Sequence, residues 1–237
     1  MRRFGIVLIA FSVTTGIASI ASAADTAVKA SPAEAGALSW TGFYLGGNAG
    51  YGLGHSDGTF ANAGGFFPVP YDIYPDGITG GGFVGYNYQL ERWVLGVEGD
   101  WQRTSASASD DQTIAGTSYQ YTINSEIKQL GSLRIRFGYA VDRWLVFMTG
   151  GWAWGDISTD YRHTGDTSPF YSNEFIGDGW TVGTGIEYAI TNNWLARVEY
   201  RYSDLGTSSY TDRSTNSSEK ENSVSINDIR LGLAFKF

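Results

Sequence analysis

The chain has 237 residues, enough for one large domain, with 16 basic and 24 acidic residues and a formal net charge of −8. That acidic balance argues against nucleic acid as a partner. The absence of cysteine excludes a disulfide framework, a thiolate metal site and acylation through cysteine.

The N-terminus reads as a secretory signal. Arg2 and Arg3 form a positive n-region, residues 4–20 are uncharged and mostly apolar, and Ala21-Ser22-Ala23 is a small-residue cleavage site. Removal after Ala23 would leave 14 basic against 24 acidic residues. Residues 24–39 are Ala-rich with Pro32 and Glu34, have no β pattern and read as a flexible leader. Beyond the signal no apolar run is long enough for a membrane-spanning helix. Aromatics make up 15% of the chain and charged residues only 17%, with 32 glycines. This mix is rich in residues that sit at bilayer interfaces. Mean hydropathy is −0.18, a value compatible with a membrane barrel, whose lipid-facing and lumen-facing residues alternate.

From Trp40 onward the pattern has a period of two, the mark of strands. A first strand is predicted over Gly42–Gly54, with Phe43, Leu45, Ala49, Tyr51 and Leu53 on one face and Tyr44, Gly46 and Asn48 on the other. A second, Gly80–Leu90, sets Val84, Tyr86, Tyr88 and Leu90 against Phe83, Gly85, Asn87 and Gln89. A third, Trp93–Thr104, sets Trp93, Leu95, Val97 and Trp101 against Glu98, Asp100 and Gln102. The fourth, Ile127–Tyr139, opposes Leu133, Ile135, Phe137 and Tyr139 to Lys128, Ser132, Arg134 and Arg136. In the fifth, Trp144–Gly155, Leu145/Phe147 and Val146/Met148 are equally apolar, and Trp152 and Trp154 favour the second set as the outer face. The sixth, Trp180–Ile190, carries Glu187 opposite Ile186 and Tyr188. The seventh, Trp194–Tyr202, carries Arg197, Glu199 and Arg201 opposite Trp194, Ala196 and Val198. The eighth, Asp228–Phe237, sets Ile229, Leu231, Leu233, Phe235 and Phe237 against Asp228, Arg230 and Lys236 up to the final residue.

Two architectures accommodate such strands. In a soluble sandwich the apolar faces meet in a core; in a transmembrane barrel they face lipid and the charges face a lumen. Only a closed barrel can place a sheet in hydrocarbon, because an open edge leaves unpaired N–H and C=O groups there. The loops decide for the barrel. Tight turns at residues 90–93, 140–143 and 191–193 alternate with long polar segments near residues 55–79, 105–126, 156–179 and 203–222. Short turns on one rim and long loops on the other belong to an eight-stranded antiparallel up-and-down outer-membrane barrel. Trp93, Trp101, Tyr139, Trp144, Tyr188 and Trp194 are the aromatics expected at the lipid–water boundary.

The stretches WTGFYLGGNAGYG (Trp40–Gly52), GYNYQLERWVLGVEGDW (Gly85–Trp101), FGYAVDRWLVFMTGGWAWG (Phe137–Gly155) and LGLAFKF at the end resemble the small outer-membrane β-barrel proteins of alphaproteobacteria. These are the porin-family or immunogenic proteins related to the opacity-type barrels. The resemblance covers residues 40–237 and implies an eight-stranded barrel in the outer membrane with surface-exposed loops. It also implies a C-terminal signal, Ile229, Leu231, Leu233, Phe235 and Phe237, read by the barrel assembly machinery.

On this parity Glu98, Asp100, Lys128, Arg134, Arg136, Glu187, Arg197, Glu199, Arg201, Asp228 and Arg230 all point inward. Acid-bearing and base-bearing strands interleave, so most can pair, and about eight strands leave an interior just wide enough for side chains. A salt-bridged plug is therefore expected over an open ion pathway. Only His55 and His163 could serve a hydrolase. In Gly54-His55-Ser56-Asp57 neighbouring side chains point to opposite faces, so His55 and Ser56 would not readily hydrogen-bond. No enzyme, metal or cofactor is expected. Among the loops, Phe66-Phe67-Pro68-Val69-Pro70-Tyr71 and Ile73-Tyr74-Pro75 either dock a host or phage receptor or pack across the barrel mouth, the commoner use of such residues. Asp110-Asp111 and Glu219-Lys220-Glu221 read as solvated loop tips. The expected surroundings are outer-membrane lipid and lipopolysaccharide. The sequence favours a structural, surface-presenting role in envelope integrity. A narrow, weakly selective porin and an adhesin or receptor barrel remain as alternatives.

Overall fold

The computed structural model describes residues 38–61, 68–113, 120–163, 171–212 and 217–237. The expected signal segment, residues 1–23, and the leader up to residue 37 lie outside them. The strands are β1 (Gly42–Ala61), β2 (Pro68–Ile73), β3 (Asp76–Leu90), β4 (Trp93–Thr104), β5 (Ser107–Thr113), β6 (Gln120–Val141), β7 (Trp144–His163), β8 (Tyr171–Ala189), β9 (Trp194–Asp212) and β10 (Ser217–Lys236). Eight of them pair antiparallel in the order β1–β3–β4–β6–β7–β8–β9–β10. The ring closes through Tyr44↔Lys236 and its ladder along β1 and β10. The strand pairing is thus a closed barrel, and Leu231 and Leu233 on β10 are 63% and 55% exposed on its outside rather than tucked between two sheets.

Two features differ from the sequence reading. First, the strands run much further than their apolar stretches: β1, β7 and β10 have 20 residues each and β6 has 22. About ten residues cross a bilayer as a tilted strand. At ~3.3 Å per residue and a tilt near 40°, twenty residues rise roughly 50 Å, about twice the ~25 Å apolar band. The segments read as long loops are therefore mostly strand. Above the lipid the outer face has no reason to be apolar, so the alternation survives only inside, as in Ile123, Ser125 and Ile127 on β6, all buried. Second, β2 and β5 are additional short strands, pairing with the distal part of β1 and the start of β6.

The short-turn rim is built by local chemistry. Glu91 and Asp142 adopt left-handed φ values of 55° and 51° at the start of two-residue turns. At the third turn the Thr191 hydroxyl accepts from the backbone N–H groups of Asn193 (3.2 Å) and Trp194 (3.0 Å). Each turn is flanked outside by packed rings: Trp93 on Tyr139 at 4.8 Å, Trp144 on Tyr188 at 4.6 Å and Trp194 on Phe235 at 5.3 Å. Trp101 belongs to the opposite girdle with Trp152, whose indole N–H donates to Asp178 (3.2 Å). Between the girdles lies an exposed apolar band that includes Val97, Ile135, Met148 and Val198. The facing of β7 is settled: Leu145 and Phe147 are buried, and Val146 and Met148 face out.

Glycine on the inner face gives the large side chains somewhere to lie. A methyl at Gly46 would sit 2.4 Å from the Phe83 ring, and one at Gly85 would sit 2.3 Å from the Tyr44 hydroxyl. The interior is consequently layered. Trp40, Tyr44, Phe83, Val94, Leu145, Phe147 and Leu195 fill the short-turn end. Ile127, Leu130, Ile157, Leu205, Val224 and Ile226 fill the level toward the other rim. Beyond them Tyr71, Ile73 and Ile123 form a third buried cluster.

Candidate functional site

Between the two apolar layers lies an ionic one. Inward parity brings Glu98 and Asp100 from β4, Arg134 and Arg136 from β6, Glu187 from β8, Arg197, Glu199 and Arg201 from β9, and Asp228 and Arg230 from β10 to the same stretch of lumen. All ten are buried. Five carboxylates face five arginines, so the layer is neutral. Strand register already pairs opposite signs: Glu98 sits across from Arg134, Glu187 from Arg197, Arg230 from Glu199 and Asp228 from Arg201. A slip of one residue would turn every one of these charges toward lipid.

The contacts reach across the lumen as well as along its wall. Arg201 on β9 grips Asp100 on β4 with two hydrogen bonds of 3.0 and 3.1 Å. Arg197 donates to Glu98 at 2.6 Å and through Nε to Glu187 at 2.6 Å. Arg134 donates to both Glu98 and Glu199 and, at 3.1 Å, to the Thr149 hydroxyl. Arg136 pairs with Glu187 at 2.6 Å, and Arg230 with Asp228 at 2.8 Å. Glu98 also accepts from the Tyr44 hydroxyl (2.8 Å), and Asp100 from Ser132. The layer is joined to the apolar base by stacking: the Arg136 guanidinium lies 3.9 Å from the Phe147 ring centre and that of Arg197 4.3 Å from Phe83. Paired, hydrogen-bonded charges are the form in which buried ions are tolerable. Chemically the arrangement crosslinks opposite walls, and no carboxylate in it stands apart from a guanidinium.

The model of the outer membrane protein beta-barrel domain family matches residues 15–237, nearly the whole chain. The chain belongs to this family. It is 34% identical over 248 residues to a 31 kDa outer-membrane immunogenic protein of Brucella melitensis biotype 1, covering 95% of this chain and 97% of that one. It is 34% identical over 199 residues to a 22 kDa outer membrane protein of Rhizobium leguminosarum bv. viciae, covering 84% and 79%. Among solved structures, OprG of Pseudomonas aeruginosa aligns with a TM-score of 0.48 at 10% identity, covering 83% of this chain and 96% of that one. This family member is an integral outer-membrane β-barrel, so its short-turn rim is periplasmic and its long hairpins are extracellular.

One residue assigned to the lumen by parity is not there. The β6 ladder shifts between Ile127 and Gln129, so Lys128 falls in a bulge and the parity reverses across it. Ile127 keeps the inward position, and Lys128 pairs outside with Glu174 at 2.5 Å, its side chain 38% exposed. The hydrogen bond to the Glu174 carboxylate holds the Lys128 ammonium above the usual lysine range. Sequence reasoning also passed over Tyr44, Ser132 and Thr149 as members of the ionic layer. Their inward parity was the available signal. In the extracellular part, His55 points outward and bonds Asp72 at 2.9 Å, while Ser56 is buried inside. Phe66 and Phe67 lie outside the described residues, as do the side chains of His163 and Glu219–Glu221.

Proposed function

We propose that this outer-membrane barrel is closed to ions and acts mechanically and as a surface platform, supporting the envelope and holding its hairpins outside the cell. The observation that carries this is the neutral layer of Arg134, Arg136, Arg197, Arg201 and Arg230 with Glu98, Asp100, Glu187, Glu199 and Asp228, sandwiched between apolar layers. An ion entering it would have to break crosslinks between opposite walls and pass the packed apolar clusters on either side. The Brucella melitensis relative is named an outer-membrane immunogenic protein, which agrees with a presenting role for the hairpins. Outer-membrane lipid and lipopolysaccharide are the surroundings to which the apolar band and girdles are matched. The assembly machinery is the partner proposed for Ile229, Leu231, Leu233, Phe235 and Phe237. A hydrolytic role finds no support at His55, because Ser56 lies on the opposite face. Refolded protein in planar bilayers is expected to show no stable current steps. Reproducible channel steps would overturn the reading.

A further inference from the structure

The base of the barrel differs from the rest of the interior in how it is filled. Among the described residues the other layers are made almost wholly by side chains of strands locked in ladders, with Ala106, between β4 and β5, the exception in the layer above the ionic network. At the periplasmic end the central side chain, Trp40, is brought in by residues 38–41, which precede β1 and belong to no strand. Trp40 is completely buried among Tyr44, Phe83, Leu145, Phe147 and Leu195, with Leu38 packed against the same cluster. The ties of this segment are single and mostly to side chains. The Trp40 N–H donates to the Gln89 side-chain carbonyl at 2.6 Å, the Gln89 N–H donates to the Thr41 hydroxyl at 2.9 Å, and Lys236 donates to the Ser39 carbonyl. The Trp40 indole N–H, though buried, has no hydrogen-bond partner among the described residues, so water offers it something they do not.

We infer that residues 38–41 form a displaceable stopper at the periplasmic mouth, and that withdrawing Trp40 opens the apolar base to the periplasm while the ionic layer above stays shut. Apolar packing holds the indole in. Its few rim hydrogen bonds and its place outside the strand ladders let this part of the interior open locally without unzipping a strand. The opened space is floored by the periplasm, walled by aromatic rings and roofed by Arg136 and Arg197 stacked on Phe147 and Phe83.

The chain has no cysteine, so single reporters can be read cleanly. Ala189→Cys reports the base and Ala153→Cys the layer above the ionic network; both parent residues are buried. The refolded chain in detergent micelles is treated with a small water-soluble thiol reagent, and heat-modifiable gel migration verifies the barrel. Slow labelling is expected at both positions with the native stopper. Gln89→Ala, which removes a tether and keeps the indole, should speed labelling at Ala189→Cys by about tenfold, and Trp40→Gly by more, with Ala153→Cys unchanged. A fixed plug would leave the labelling rate at Ala189→Cys unchanged by Gln89→Ala, which overturns the inference. So does an equal rise at Ala153→Cys, which would mean the whole interior had loosened. Labelling is read without current, so its outcome is independent of whether the barrel conducts.

Discussion

Exchanging Glu98 for glutamine removes one negative charge from a layer that balances five against five. The Glu98 side chain is fully buried and is approached by three guanidinium groups, Arg134, Arg197 at 2.6 Å and Arg136 at 3.5 Å, as well as by the Tyr44 hydroxyl. Glutamine can keep one neutral hydrogen bond, worth about 1 kcal/mol. It cannot compensate the guanidinium charge, and its NH2 must point at donors. Breaking a buried pair from one side costs about 3–5 kcal/mol, a hundredfold to several-thousandfold change in the folded-to-unfolded ratio. Were the interior water-filled, the same exchange would cost about 0–1 kcal/mol, as for exposed pairs. The assay is denaturant unfolding of the refolded barrel, followed by tryptophan fluorescence. The double variant Glu98→Gln/Arg134→Met restores the charge balance and should be less destabilised than the sum of its singles by at least about 1 kcal/mol. A single exchange costing under about 1 kcal/mol would refute the dry, crosslinked interior.

Lys128→Ala removes a partly exposed pair and should move stability by less than about 1 kcal/mol in the same measurement; a loss comparable to that of Glu98→Gln would return Lys128 to the lumen. Gly46→Val drives a side chain into Phe83 and the Leu233 carbonyl at 2.4 Å each, whereas at outward-facing Gly47 the nearest atom is 3.6 Å away. The first variant should fail to give the compact gel species and the second should give it normally. Phe237 is exposed outside and its N–H bonds Phe43 at 2.9 Å. Phe237→Ser should refold in detergent yet reach the outer membrane in reduced amount, scored by fractionation, and equal amounts would remove the proposed assembly role.

What the residues disclosed before folding follows from where the solvent changes. In the bilayer, lipid imposes an apolar outer face, so the ladder can be read by twos in Leu231, Leu233 and Phe235 or in Leu95, Val97 and Trp101. Where lipid ends that constraint ends, and β1 beyond Gly54 or β10 before Asp228 read as loop although the ladder continues. Ten of the eleven charges assigned to the lumen by parity lie in one buried layer. The exception, Lys128, lies where the ladder inserts an extra residue, and a bulge carries no alternation signal of its own. Trp40 was hidden for another reason: it stands before the first strand, where periodicity has nothing to say, and only the folded barrel shows what its indole fills.

The overhang of the strands shapes what an outside observer meets. Since backbone pairing runs on past the lipid in β1, β6, β7, β8, β9 and β10, the cell displays a stiff collar whose neighbouring residues come from distant parts of the chain. Immune or viral recognition of that collar would be of shape, and boiling the protein should erase it while leaving every peptide bond in place.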